Sequence, residues 1–241
     1  MNTESEFVAH EPCNNCGSSD ANSRYSDGHA FCFACHTYSP ADDWTHTHTQ
    51  MNTNERVQFL GSAEQLQKRR ISEATNSFYR IYRHGNTLRF PYYNASGQVV
   101  GFKIKTKSKD FHYEGASSDQ LFGQHLFPTS GKRIVITEGE LDAASCYEVM
   151  SGWPMVSLPH GAAAAKKDLQ KAIPFLQGYQ EIVLFFDNDD AGREAVESAS
   201  SILPAGRVKI ARLDAYKDAS DALQADDKDA IRRAIWDAKP Y

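Results

Sequence analysis

The spacing of apolar and polar positions changes along the chain. From residue 132 onward, short apolar runs alternate with segments of helical periodicity. "RIVIT", "PMVSL", "EIVLFF" and "RVKIARL" read as buried strands. "GELDAASCYEVM", "AAAAKKDLQKAIPFL" and "DAGREAVESASSIL" read as helices. In the last of these, Ala191, Ala195, Val196, Ala199, Ile202 and Leu203 share one face, and Pro204 and Gly206 end it. Near-continuous apolar strands alternating with helices predict an α/β fold, a parallel sheet with helices on both faces.

Between residues 57 and 131 the pattern is mixed, as in an α+β subdomain. "VQFLGSAEQLQKRR" predicts a helix, and Ser72 suits the cap of a second short one. "TLRFPYYNASGQVVGFKIKTK" predicts two strands around an Asn-Ala-Ser-Gly turn. Residues 1–40 have little apolar periodicity, and 41–56 are polar without helical or strand pattern, as in a flexible linker. The expected organisation is a small unit over 1–40, the linker over 41–56, a mixed subdomain over 57–131, the α/β subdomain over 132–214 and a C-terminal segment over 215–241.

Composition narrows the function classes. The 241 residues suffice for a sizeable core, and the net charge of −5 argues against coating nucleic acid by bulk electrostatics. It leaves room for a local basic stripe. No stretch is long and apolar enough for a bilayer, and the N-terminus lacks a signal-peptide pattern, so a cytoplasmic protein with no membrane partner is expected.

Four of the five cysteines fall in the first 35 residues. "CNNC" (Cys13, Cys16) and "CFAC" (Cys32, Cys35) are two Cys-x-x-Cys pairs fifteen residues apart, a spacing that offers four thiolates to one structural zinc ion. A module this small lacks the core to fold alone, so the metal supplies folding free energy. His10, His29 and His36 lie near a set that is already complete, and His46 and His48 read as solvated linker. Cys146 has the spacing of a core position on its helix.

A second group of metal-type residues sits at the predicted strand ends. Glu138 follows the first strand of the regular region, Asp187 and Asp189 follow the third, and Asp218 follows the fourth. Asp142 lies one turn into the first helix. Ligands of open α/β sheets bind at the carboxyl ends of strands, and gathered hard oxygens suit Mg²⁺ or Mn²⁺. Asp190 reads as a residue that favours the helix dipole. Lys103, Lys105, Lys107 and Lys109 alternate with Phe102, Ile104 and Thr106. On a strand they form a row of ammonium groups, suited equally to neutralising phosphates or to protecting a sheet edge. "PHGAAAAKK" places His160 and Gly161 before a helix start, where backbone N–H groups can hold phosphate. No Gly-x-x-x-x-Gly-Lys-Ser/Thr motif occurs, which excludes a P-loop motor within this chain.

Glu-Gly-x-x-Asp (138–142) followed by Asp-x-Asp-x-Ala-Gly (187–192) on alternating β/α units resembles a TOPRIM domain. With the four-cysteine ribbon in front, the chain resembles prokaryotic-type primases. It is most similar to the primase half of the T7-type primase–helicase family, in "PCNNCGSSDANSRYSDGHAFC", "ITEGELD", "VSLPHGAAAAKK", "FDNDDAGREAVE", "LPAGRVKIA" and "KDAS". The resemblance implies a DNA-directed RNA polymerase that starts short RNA primers on a single-stranded DNA template from ribonucleoside triphosphates. It also implies two catalytic metal ions, a replicative helicase, fused or separate, and a DNA polymerase as partners. By the same resemblance Glu138, Asp187 and Asp189 hold metal, with Asp142 and Asp218 as further acids. Lys103 and Lys109 serve nucleotide condensation, and Asp27 and His29 help recognise the template. One inserted residue before "KDAS" loosens the match at Asp218. A non-catalytic zinc/TOPRIM repair mediator that binds DNA and a TOPRIM nuclease are the rival readings.

Overall fold

Four short strands, β1 (Phe7–Glu11), β2 (Asn22–Tyr25), β3 (Ala30–Cys32) and β4 (Tyr38–Ser39), form an antiparallel sheet in that order. The computed structural model describes residues 5–13, 15–39, 59–108, 110–116 and 118–241. The linker expected over 41–56, with His46 and His48, and the lysine at 109 lie outside the described residues. Contacts divide the chain into two compact units, Met1–Arg56 and Val57–Tyr241. Among the described residues of the first unit, the buried apolar side chains are Cys13, Ala30 and Cys32. Burial on that scale cannot offset the entropy of ordering the chain, so this unit needs a cross-link.

The described part of the second unit begins at residue 59 with paired, non-helical chain where a helix was predicted. Ser62 bridges Arg83, Leu66 bridges Ile71, and only Gln67–Arg69 make a single 3₁₀ turn. Gly61 shows why: a Cβ there would meet the Arg83 carbonyl oxygen at 2.1 Å, so close pairing with the neighbouring strand replaces helix. The short helix α1 (Glu73–Tyr79) forms as expected, its Thr75 N–H donating to the Ser72 hydroxyl at 3.2 Å. Next come β5 (Tyr82–His84), β6 (Thr87–Tyr93), β7 (Val99–Lys105) and β8 (Phe111–Gly115), an antiparallel sheet in chain order. The β6–β7 turn is held by the Asn94 side chain, which accepts from the Ser96 and Gln98 N–H groups. The sequence pattern missed β8, because all five of its residues are exposed and no alternation marks them. The predicted row of four lysines on one strand is cut short. The strand ends at Lys105, the Thr106 N–H turns back onto the Asp110 carbonyl, and Lys107 is exposed in that turn.

The regular region follows as β9 (Gly131–Thr137), α2 (Glu140–Val149), β10 (Met155–Ser157), α3 (Ala165–Leu176), β11 (Tyr179–Phe185), α4 (Asp190–Ser200) and β12 (Val208–Ile210). The helices α5 (Ala219–Gln224) and α6 (Lys228–Trp236) and the strand β13 (Lys239–Pro240) complete the chain. The sheet order is β10-β9-β11-β12-β13, the first four parallel. β13 is antiparallel, a departure from the purely parallel expectation, and Pro240 is tolerated because the strand lies at an edge.

Alternate residues of the central strands separate into two cores. Val135 and Val183 join Leu141, Ala144, Leu223 and Ile231 from α2, α5 and α6. Ile134, Ile136, Ile182 and Leu184 join Leu169, Leu176, Ala195 and Ala199 from α3 and α4. Helices therefore cover both faces, as the apolar runs require. Cys146 is fully buried in the first of these cores, as its spacing indicated. The same core includes Tyr79, Phe90 and Tyr92 from the antiparallel sheet and α1, so the two sheets share one apolar body.

Candidate active site and cysteine cluster

The four thiols of the first unit, Cys13, Cys16, Cys32 and Cys35, lie within 4.8 Å of one another. The Cys13–Cys35 and Cys16–Cys32 sulfurs are each 3.7 Å apart. Zn–S bonds of about 2.3 Å in a tetrahedron place sulfurs about 3.8 Å apart, so this donor set fits one zinc ion. The first knuckle is closed by Gly17 N–H on the Cys13 carbonyl and Cys13 N–H on the Ser18 carbonyl. The Thr37 hydroxyl, then the Asn15 amide, hold the Cys35 thiol down to about 5. In the same unit His29 Nδ1 bonds Asp27 at 2.5 Å. The His29 ring stacks on Tyr25 and Tyr38 with centroids 4.4 and 5.4 Å away.

In the second unit, β9, β11 and β12 end at one edge of the parallel sheet, and the predicted acids fall there. Asp142, Asp187 and Asp218 each place a carboxylate oxygen within 4.8 Å of the others. Asp142 comes from the first turn of α2, Asp187 from the end of β11, and Asp218 from the cap of α5. Asp218 accepts from Asp221 N–H at 2.7 Å, and Asp142 from Ser220 N–H at 2.9 Å, so the start of α5 fixes both. Gly192 lets α4 close against this edge, since a Cβ there would meet the Asp187 carbonyl oxygen at 2.1 Å.

Glu138 and Asp189 flank the cluster. One oxygen of Glu138, Oε2, is buried without a hydrogen-bond partner. The Glu138 carboxyl lies beside the Ala162 N–H, next to the turn at Gly161. Asp189 caps α4 through Gly192 N–H at 2.9 Å. Burial, then the charge of Asp218, pushes Asp142 well above the usual carboxylate range. Burial, then Asp187, raises Glu138, and burial raises Asp187 even beside Lys217. Burial and mutual repulsion hold these carboxyls up, and a divalent cation among them would offset both. The orphaned Glu138 oxygen and the all-oxygen donor set fit Mg²⁺ or Mn²⁺.

Glu138, Asp142, Asp187 and Asp218 line a cleft of about 540 Å³ with Lys103, Lys105, Phe111, Tyr113, Glu140, His160, Gly161 and Lys217. Lys103 is buried, not part of a solvated row: its ammonium pairs with Glu140 at 2.8 Å and donates to the Pro159 carbonyl at 2.9 Å. Tyr92 also donates to Glu140, at 2.7 Å. Lys105 is half-buried, and burial, then the Arg69 charge, lowers its ammonium from the usual range. His160 Nδ1 is held by the buried Asp168 carboxylate at 2.9 Å, which makes Nε2 the nitrogen available to a ligand. Replacing Glu140 by Leu leaves the Lys103 charge buried beside a single carbonyl. Urea unfolding is expected to show a loss of about 3–5 kcal/mol, part of which returns when Lys103→Met is added.

Lys217, Glu140, Asp168 and Tyr113 escaped the sequence reading. Lys217 stood in plain view beside Asp218 in "KDAS", but its partners are about 30 residues upstream, at Asp187 and Asp189. Tyr113 belongs to the strand that carries no pattern.

The acid cluster stands at the carboxyl edge of a parallel sheet, where open α/β sheets bind ligands, and the Toprim-like family model matches the segment that carries it, residues 135–223. Over 259 aligned residues the chain is 38% identical to the DNA helicase/primase of Enterobacteria phage T3, covering 99% of this chain and 45% of the relative. The crystal structure of the primase fragment of the bacteriophage T7 primase–helicase protein superposes with a TM-score of 0.70 at 35% identity, over 95% of this chain and 100% of that one. A second T7 structure holds the lagging-strand DNA polymerase interacting with primase domains bound to an RNA/DNA hybrid and dTTP. It matches at TM-score 0.70 and 36% identity, over 75% of this chain and 94% of that one. The chain belongs to the primase family of the T7-type phage primase–helicases. It spans less than half the length of the curated relatives it matches.

Proposed function

We propose that this chain is a DNA primase that starts short RNA primers on single-stranded DNA by metal-dependent nucleotidyl transfer. The observation that carries this reading is one cleft lined by both the Asp142–Asp187–Asp218 cluster and the lysines Lys105 and Lys217. Bound Mg²⁺ or Mn²⁺ lowers the pKa of the attacking 3′-hydroxyl and offsets charge developing on the α-phosphate. Asp142, Asp187 and Asp218 supply its hard oxygens, with the unpaired oxygen of Glu138 as a further donor. Asp189 fixes the start of α4 and, through it, the backbone beneath Asp187.

The cationic residues divide their work. Lys105 and Lys217 face the cleft and offset triphosphate charge. Lys103 shapes the wall through Glu140 and Pro159. His160, oriented by Asp168, and the backbone at Gly161 contact the nucleotide, and the exposed Lys107 contacts template phosphate. The four cysteines hold one structural zinc ion. Asp27 and His29, on an aromatic stack with Tyr25 and Tyr38, read template bases, since bases stack well on such surfaces.

Among the described residues no helix is long and apolar enough to cross a membrane, and we place the protein's work in the cytoplasm. The phage T3 relative is named a helicase/primase and the T7 structure pairs primase domains with a DNA polymerase, which supports a helicase and a DNA polymerase as partners. Incubation with the four ribonucleotides, Mg²⁺ and defined single-stranded templates is expected to yield short template-dependent oligoribonucleotides. Shortened template would indicate a nuclease instead, and binding without product a repair mediator.

A further inference from the structure

The ammonium of Lys217 stands between two of the site's carboxylates, 3.0 Å from Asp187 and 3.1 Å from Asp189. Each acid has other commitments. Asp189 spends its second oxygen on the Gly192 N–H, and Asp187 belongs to the three-acid cluster. The lysine side chain is about half exposed, whereas Asp187 is 16% exposed. Backbone holds the lysine's root in place, as the Asn188 N–H donates to the Lys217 carbonyl at 2.7 Å. An ammonium at hydrogen-bond distance from two carboxylates does part of what a divalent cation does there: it cancels repulsion and fixes both side chains.

We infer that Lys217 is a displaceable counter-ion of the metal site, a positioning residue that keeps Asp187 and Asp189 assembled until metal enters. Metal ligated through Asp187 must compete with the ammonium for the same oxygen lone pairs. Once displaced, the lysine has a flexible four-carbon stem, a half-exposed head and a cleft that it already lines. The strongest anion entering that cleft is the nucleotide triphosphate, so metal binding hands the ammonium from carboxylate to phosphate. Lys217 thereby couples the two binding events: metal alone binds against the lysine, and metal with nucleotide binds with its help. This inference rests on the metal site proposed above.

The test is Mn²⁺ binding to the zinc-loaded full chain, followed by the electron paramagnetic resonance of free Mn²⁺, for the wild type, Lys217→Met, Lys217→Arg and Asp187→Asn. Without nucleotide, Lys217→Met is expected to bind Mn²⁺ about tenfold more tightly, the scale of one exposed unit charge at contact. Lys217→Arg keeps wild-type affinity. With a non-hydrolysable ribonucleoside triphosphate present, the gain in Lys217→Met is expected to vanish or reverse. Equal or weaker Mn²⁺ binding by Lys217→Met without nucleotide overturns the counter-ion role. If Asp187→Asn binds Mn²⁺ as the wild type does, the metal site itself is wrong. A loss in Asp187→Asn with no gain in Lys217→Met rejects the lysine's role alone.

Discussion

Asp187→Asn is expected to lower primer synthesis on the order of 10³-fold while leaving the chain folded. The substitution preserves shape and removes one charge from the cluster of Asp142, Asp187 and Asp218. Metal affinity falls with it, and so does the charge compensation at the reacting phosphate, a contribution typically worth several kcal/mol. Stability moves the other way in the metal-free protein. The folded-state pKa of Asp187 is raised, chiefly by burial. A raised carboxyl binds more protons folded than unfolded, so its stabilising contribution is full below the unfolded value near 4 and is lost as pH rises through the folded one. At neutral pH the metal-free variant should therefore melt no lower than the wild type, and the two should converge below about pH 4. Template-directed extension assays and melting curves in a chelator check both halves. Normal primer yield from Asp187→Asn would remove the acid cluster from the mechanism.

Cys16→Ser, or stripping zinc with a strong chelator, is expected to unfold the first unit and spare the second. The described part of the first unit buries little apolar surface, so a metal bond set worth on the order of 10 kcal/mol is most of what holds it. The second unit has two extensive cores that include none of Cys13, Cys16, Cys32 and Cys35. Two-dimensional amide spectra should show collapse of the resonances of residues 5–39 alone. Mn²⁺ affinity should persist, because the ligands proposed for it lie between Glu138 and Asp218. Initiation at preferred template sites should fail, since Asp27 and His29 depend on the ribbon for their pairing. Unaltered initiation after zinc loss would show that template selection lies in the second unit.

Much of this architecture was legible without coordinates. The four parallel strands and three of their helices follow from apolar runs that are continuous because both sheet faces are covered. The four-cysteine cluster was legible because its members come in two local pairs, and the Ser72 cap and Asn94 turn because each bonds a backbone group within four residues. Local causes leave local signatures. The misreadings were non-local. The stretch from 59 to 66 has helical composition, but pairing at Ser62 and crowding at Gly61 with Arg83 hold it extended. β8 has no alternation because all five of its residues are exposed, and β13 is too short to carry a pattern.

At the active site the sequence alone determined which carboxylates stand at strand ends, since strand termini and helix caps are written in adjacent residues. It did not determine how those acids divide their roles. Coordinates were needed to see that Asp142, Asp187 and Asp218 converge and that Lys103 is buried against Glu140. They alone revealed Lys217 between Asp187 and Asp189. One cause underlies all three. Coulomb interaction and desolvation depend on distance and burial across segments far apart in the chain, and no periodicity of one segment encodes the position of another.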